Sequence, residues 1–230
     1  MLKLKNSLIF VAIIVFLLSG ISLIESKDLY TEGSPSSKKV ALTFDDGPGA
    51  STIAILDILK SKNVKATFFL LGSHVKKNPN WTKRLVQDGH EIGNHTYNHI
   101  NFFLYDKENK DDKIENELLS SEKIIKETIG VKTHLARFPN GYSRSDAIQI
   151  AKKHGYIVIN WAFGCDWNRK MTDDEILAKY KKAIRSGTIF LLHDAPKNAK
   201  AVRILSKLID EIKAKGYEIV TVSELLNLKK

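Results

Sequence analysis

The chain has a single cysteine, Cys165, so no internal disulfide can form and the fold must rest on its hydrophobic core. No cysteine stands just after the apolar N-terminal stretch, which argues against a lipid-anchored start. Acidic residues are in deficit: 26 Asp and Glu stand against 36 Lys and Arg, a formal net charge of +10. Such a balance suits polyanionic surroundings such as nucleic acid, anionic lipid or an acidic wall polymer. Clustering is also missing. The basic residues are spread over helix exteriors, not interleaved with aromatics along one element, so no nucleic-acid partner is expected. At 230 residues the chain is too short for two comfortable domains, and one core and a monomer are expected.

The N-terminus points to a compartment. Lys3 and Lys5 precede an apolar segment over residues 8–18, which continues through Ser19, Gly20 and Ser22 to Ile24. Residues 1–26 therefore read as a signal peptide or an uncleaved membrane anchor. A clean small-x-small cleavage site is lacking, although Ser26 could serve, and cleavage stays open. Either outcome puts the rest of the chain outside the cytoplasmic membrane, extracellular or wall-associated, with the lysines held inside. Residues 27–37, with Gly33, Ser34, Pro35, Ser36 and Ser37, read as a polar tether, and residues 38–230 as the folded domain.

From Lys38 onward, short β-rich runs alternate with amphipathic helical patterns, the signature of parallel strands joined by helices. Strands are expected at residues 40–44, 66–70, 90–93, 135–138, 156–161, 188–192 and 217–222. Helices fall between them, several closed by glycine at Gly89, Gly130, Gly155, Gly187 and Gly216. Thr172 and Glu175 fit a capping box that opens one of these helices. Seven strands in this length fall short of a regular eight-stranded barrel of about 250 residues. The first expectation is an α/β fold with a distorted, shortened (β/α) barrel of about seven parallel strands. A doubly wound open sheet is the second.

The polar residues that end these strands carry the chemistry. Thr43-Phe44-Asp45-Asp46-Gly47-Pro48 puts two adjacent carboxylates at a strand's carboxyl end, where α/β proteins keep their sites. Like charges side by side need a cation or a positive partner, and a solvated acidic turn is the plain alternative. His95 and His99 lie four apart, a spacing that puts both rings on one face of a helical turn. With one carboxylate from Asp45-Asp46 they make a two-histidine, one-carboxylate set that leaves coordination positions open for water and substrate. Arg137, Asp166 and His193 fall at further strand ends, so every candidate converges on one end of the sheet. The other candidates read as support: His74, His134 and His154 as surface or capping residues, His90 and Glu91 as structural, Cys165 as packing, and Asp194 as a turn residue.

Five ordered motifs, Thr43-Phe44-Asp45-Asp46-Gly47-Pro48, His95-Thr96-Tyr97-Asn98-His99, Arg137-Phe138-Pro139-Asn140-Gly141, Asp166-Trp167 and Leu191-Leu192-His193, resemble those of the polysaccharide deacetylases. That family is also known as the NodB-homology domain or carbohydrate esterase family 4. The resemblance spans residues 38–226. It implies Asp45 as general base, with Arg137 paired to it, and Asp46, His95 and His99 as ligands of one divalent metal ion. Zinc is the expected metal, with cobalt, nickel or manganese as alternatives. It implies His193 as general acid, oriented by Asp166, and a substrate groove involving Pro139, Asn140, Gly141, Trp167 and Leu191. Asn140 stands where many members carry an aromatic or basic residue, and core packing is the alternative for Trp167.

The function implied is a metal-dependent N-deacetylase of a cell-wall polysaccharide, with peptidoglycan N-acetylglucosamine or N-acetylmuramic acid as substrate. Chitooligosaccharides and O-acetyl esters of the xylan type are alternatives, because the tetrahedral chemistry is shared. An inactive wall-binding protein on the same scaffold is the alternative of a different kind.

Overall fold

A run such as Val40-Ala41-Leu42-Thr43-Phe44 is stable only as a strand covered on both faces. The computed structural model of the chain describes residues 28–195 and 199–228. Its elements are β1 (Leu29–Tyr30), β2 (Lys39–Gly47), α1 (Ala50–Ser61), β3 (Thr67–Leu70), α2 (Gly72–Lys77), α3 (Pro79–Gln87) and β4 (Glu91–Asn94). They continue with α4 (Lys110–Ile129), β5 (Leu135–Ala136), α5 (Ser145–Lys153), β6 (Ile157–Ile159) and α6 (Asp173–Lys182). The last are β7 (Ile189–His193), α7 (Lys200–Ala214), β8 (Glu218–Val220) and α8 (Val222–Leu226).

The strands lie in the order β1-β6-β5-β4-β3-β2-β7, with β8 also on β2, and every named pair is parallel. Beyond β6 the chain runs beside β7. Phe163 bridges Phe190, Ala162 N–H donates to the Ile189 carbonyl at 3.0 Å, and Leu191 N–H donates to that of Phe163 at 2.8 Å. These bonds curl the sheet back on itself, so the architecture is the distorted barrel and not the open doubly wound sheet.

Alternation along β2 sorts its side chains into two layers. Val40, Leu42 and Phe44 pack in one cluster with Ile55 and Leu59 of α1, Ile176 of α6, and Leu205 and Ile209 of α7. Ala41 belongs to a second cluster with Phe69, Ile159, Ile189 and Val220, into which α8 inserts Val222 and Leu225. A third cluster joins α4 and α5 to β5 and β6 through Ile114, Leu118, Ala136, Ala147 and Val158. Each fully buried Leu or Ile contributes roughly 1.5–3 kcal/mol, so this two-sided burial holds β2 in place.

All seven expected strands are present, but three elements escaped the pattern. Leu29 and Tyr30, expected within the tether, pair with Val158 and Ile159 of β6. Glu32 bridges Thr188, and Gly33 N–H donates to the Gly187 carbonyl at 2.8 Å, so residues 28–33 are docked on the barrel. Two residues are too few to show a period, and only the partner strand defines β1. Helices α2 and α8, of 6 and 5 residues, are likewise too short for an amphipathic stripe. The expected leader, residues 1–26, lies outside the described residues. Among those described, no helix is long and apolar enough to cross a membrane.

Candidate active site

Consecutive residues of a strand point to opposite faces, so Asp45 and Asp46 ought to diverge. Asp45 follows the inward parity of Ala41 and Thr43. At Asp46 the backbone turns left-handed, with φ 74°, and the register to β3 shifts between Asp45 and Gly47. This break swings the second carboxylate back, and both acids reach one imidazole. Asp45 Oδ2 lies 3.7 Å and Asp46 Oδ1 3.4 Å from His95 Nε2.

The turn that does this is braced from three sides. His74, expected as a surface or capping residue, donates from Nδ1–H to the Asp46 carbonyl at 2.7 Å and so supports the site. Gly47 is required, because a Cβ there would sit 2.1 Å from Asp194 Oδ2. Asp194 is fully buried. Its N–H donates to the Asp45 carbonyl at 3.1 Å, and its Oδ2 accepts from Thr52 Oγ1 at 2.5 Å. Burial, with the charges of Asp46 and Asp45 nearby, pushes its carboxyl up to about 7. Asp194 thus ties the end of β7 to the first turn of α1, a larger role than that of a turn residue.

His95 and His99 do not lie on a helix. They sit on an irregular loop after β4, with Thr96 and His99 at φ 69° and 59°, and their rings meet edge to face at 5.1 Å. Non-glycine residues in this region cost about 1–3 kcal/mol each unless the surroundings hold them. Glu117 of α4 does the holding. Buried, it accepts from the N–H groups of Tyr97 (3.1 Å) and Asn98 (2.6 Å) and from Asn98 Nδ2 (3.0 Å). Its one sequence signal is a carboxylate on the inward stripe of α4 between Ile114 and Leu118.

Asp46, His95 and His99 bring one donor atom each within 4.8 Å of one another, and the chemistry fits a divalent cation. His95 Nδ1–H donates to the Arg137 carbonyl at 2.6 Å, which turns Nε2 toward Asp46 and makes it the nitrogen that a cation would take. His99 Nε2 lies 3.2 Å from Asp46 Oδ1, a buried oxygen without a hydrogen-bond partner. Burial would push the Asp46 carboxyl up, but the adjacent His95 and His99 imidazoles hold it well below the usual carboxylate range.

Asp45 is held separately. Arg137, fully buried just beyond β5, donates from Nη1 to Asp45 Oδ1 at 2.7 Å and to Thr43 Oγ1 at 2.8 Å. Its Nε and Nη2 donate to the carbonyls of Ile159 (2.9 Å) and Asn160 (3.0 Å), and its guanidinium lies over the Phe69 ring at 4.1 Å.

Asp45 pairs directly with His193 across the β2–β7 ladder, so both side chains leave the sheet on the same side. His193 donates twice to Asp166, from Nδ1 at 2.8 Å and from its backbone N–H at 2.9 Å. Burial would lower the imidazole, but the Asp166 hydrogen bond and charge, with Asp45 and Asp46 further off, raise it to about 9. At neutral pH His193 is therefore an imidazolium, with its Nε2–H available.

Asp45, Asp46, His95, His99, Asp166 and His193 line one cavity of about 690 Å³, which Asn140, Trp167 and Leu191 also border, while Arg137 does not reach it. Trp167 is 49% exposed and meets the His193 ring edge-on at 5.5 Å, so it forms cavity wall, not core. Pro139 and Gly141 do not border the cavity. Pro139 is buried, and Gly141, at φ 71°, leaves room for Trp161, whose ring would lie 2.9 Å from a Cβ there. Trp161, Arg169, Lys200 and Arg203 are lining residues outside the motifs, without a sequence signal of their own.

The remaining candidates behave as support. His90 Nδ1 accepts from Ala66 N–H at 3.2 Å and Glu91 from Thr67 Oγ1 at 2.7 Å, His134 is exposed, and His154 pairs with Glu115. Burial pushes the Cys165 thiol up to about 11, so it is not a nucleophile.

Comparisons with known proteins agree with this arrangement. The polysaccharide deacetylase family profile matches residues 32–159. A peptidoglycan-N-acetylglucosamine deacetylase of Bacillus cereus is 37% identical over 204 residues, covering 85% of this chain and 92% of the relative. The crystal structure of the Bc1960 peptidoglycan N-acetylglucosamine deacetylase superposes with a TM-score of 0.83 at 33% identity, over 91% of this chain and 98% of that one. A pseudoenzyme of carbohydrate esterase family 4 from Bacillus anthracis superposes at 0.78 with 30% identity, over 86% and 68%. This chain belongs to the polysaccharide deacetylase family.

Proposed function

We propose that the protein removes N-acetyl groups from amino sugars of peptidoglycan outside the cytoplasmic membrane, with zinc as its metal. One observation carries the catalytic part of this reading: the two adjacent carboxylates are divided between two tasks. Asp46 faces His95 and His99, while Asp45 is held by Arg137 and faces His193 across the same cavity. A pseudoenzyme shares the fold, so fold likeness alone does not argue for turnover. The complete set of base, acid and metal ligands does.

In this reading Asp46, His95 and His99 hold the ion, which when bound supplies Lewis-acid polarisation of the amide carbonyl and of the attacking water. Asp45, oriented by Arg137, accepts the proton of that water as its oxygen attacks the acetamide carbon. The backbone N–H of Asn140 donates to the oxyanion that develops. His193, charged at neutral pH and fixed by Asp166, gives its Nε2 proton to the nitrogen as the C–N bond breaks. Acetate and a free amino sugar leave, and Trp167 stacks on a sugar ring at the rim.

Peptidoglycan as substrate is supported by the Bacillus cereus relative and by Bc1960, both peptidoglycan N-acetylglucosamine deacetylases. Export is supported by the lysine-flanked apolar segment over residues 8–18. Acetate release from purified peptidoglycan, with and without a chelator, tests the reading, and mass spectrometry of the muropeptides identifies the sugar. Release from acetylated xylan alone would mean an esterase instead. Asp45→Asn should lower turnover by about 10²–10⁴ while metal binding persists, and full turnover in that variant would sink the mechanism.

A further inference from the structure

Three residues at the end of β6 and just beyond it reach two parts of the site at once. The carbonyls of Ile159 and Asn160 accept from Arg137 at 2.9 and 3.0 Å, and that guanidinium in turn holds Asp45. The side chains of Asn160 and Trp161 turn instead to the loop over residues 139–143. Asn160 Nδ2 donates to the Gly141 carbonyl at 3.4 Å and to Ser143 Oγ at 3.3 Å. The Trp161 ring fills the space in front of Gly141, where a Cβ would lie 2.9 Å from its Cη2 and 3.4 Å from its Cζ3.

Of the three, Trp161 is the one that borders the cavity. Its ring lies 5.6 Å from the Arg137 guanidinium, which does not reach the cavity. The stretch itself is held from outside, because Asn160 N–H donates to the Tyr30 carbonyl of β1 at 2.7 Å. The loop it supports needs holding. Asn140 and Gly141 are left-handed in succession, at φ 57° and 71°, and a non-glycine residue keeps that conformation only where its surroundings fix it.

We propose that Trp161 is a positioning residue of the reaction. Wedged against Gly141, its ring sets where the Asn140 N–H stands, and through the Ile159 and Asn160 carbonyls the same stretch sets where Asp45 stands. The oxyanion donor and the base thus keep a fixed separation, as preorganised stabilisation of charge requires. This rests on the mechanism proposed above, in which Asn140 donates to the oxyanion. An aromatic ring in a cavity wall also suits a sugar platform, and the two roles part in kinetics. A platform binds substrate and transition state alike and acts on KM, whereas a wedge acts on kcat.

The test follows acetate release from soluble peptidoglycan strands by the zinc-loaded enzyme. Trp161→Phe keeps a ring in the wall but loses the outer edge that meets Gly141, so kcat should fall about tenfold while KM stays within about twofold. Gly141→Ala presses on the same edge from the other side and should lower kcat about 10²-fold. Combining the two gives the new methyl room. The double variant should therefore turn over about fivefold faster than Gly141→Ala alone. The strain of alanine at positive φ is common to both and cancels in this comparison. A rise in KM at unchanged kcat in Trp161→Phe would assign a sugar platform and overturn the proposal, as would a double variant no faster than Gly141→Ala. Should Gly141→Ala not fold, the split between kcat and KM in Trp161→Phe decides alone. No acetate with the unmodified enzyme would overturn the deacetylase mechanism itself, and this proposal with it.

Discussion

Exchanging Asp166 for asparagine should move the protonation of His193 while leaving the imidazole in place. His193 ordinarily titrates near 6.5; here burial pulls it down and Asp166 more than compensates, bringing it to about 9. Asparagine keeps an oxygen to accept from Nδ1 but removes the charge, so the imidazole should return to about 6.5 or below. The general acid is active when protonated, so activity is present below this pKa and lost as pH rises through it. In the unmodified protein roughly 97% of His193 is charged at pH 7.5, and in Asp166→Asn roughly 10%, a tenfold loss in the competent form. The alkaline limb of kcat/KM should move from about 9 toward about 6.5. Acetate release from a small N-acetylated oligosaccharide between pH 5 and 10 reads this directly. The same change should lower stability by about 1–3 kcal/mol, because the Asn amide would face the His193 backbone N–H that Asp166 now accepts. An alkaline limb that stays in place in a folded Asp166→Asn protein would refute the assignment of His193 as the acid.

Three further outcomes are expected. Arg137→Leu strands a buried Asp45 carboxylate and should cost about 3–5 kcal/mol, seen as a lower midpoint in urea unfolding. His99→Ala removes one ligand donor and should weaken zinc binding by at least tenfold in calorimetric titration, while Asp45→Asn should not; equal affinities would place the ion elsewhere. Glu117→Gln should release the loop over residues 95–99, because an amide cannot accept from both N–H groups and from Asn98 Nδ2. Faster amide exchange at Tyr97 and Asn98 is the readout.

Much of the site is legible from residue type and place. Asp45, Arg137, Asp166 and His193 are polar residues at the ends of apolar runs, and parallel strands bring such ends together. Geometry inside the loops is not legible. The His95–His99 spacing suggests a helical turn, whereas the structure uses left-handed residues braced by Glu117, some twenty positions away. Asp46 faces its ligand partners only because β2 breaks its alternation there, and no local propensity announces that break. Docking of Leu29 and Tyr30 and the brace supplied by Asp194 depend in the same way on partners distant in sequence. The cavity draws Arg169 from one loop and Lys200 and Arg203 from a helix start, so this part of its lining exists only after the chain has folded.

Arg137 has an implication for how the enzyme comes to life. Its four hydrogen bonds reach Thr43 and Asp45 near the start of the domain and Ile159 and Asn160 more than a hundred positions later. The proton acceptor is therefore armed only when β2 and β6 have come to rest around one guanidinium. A ribosome-bound chain that has not yet emerged past Asn160 lacks that clamp, which makes turnover a late reporter of closure and keeps a half-made enzyme silent.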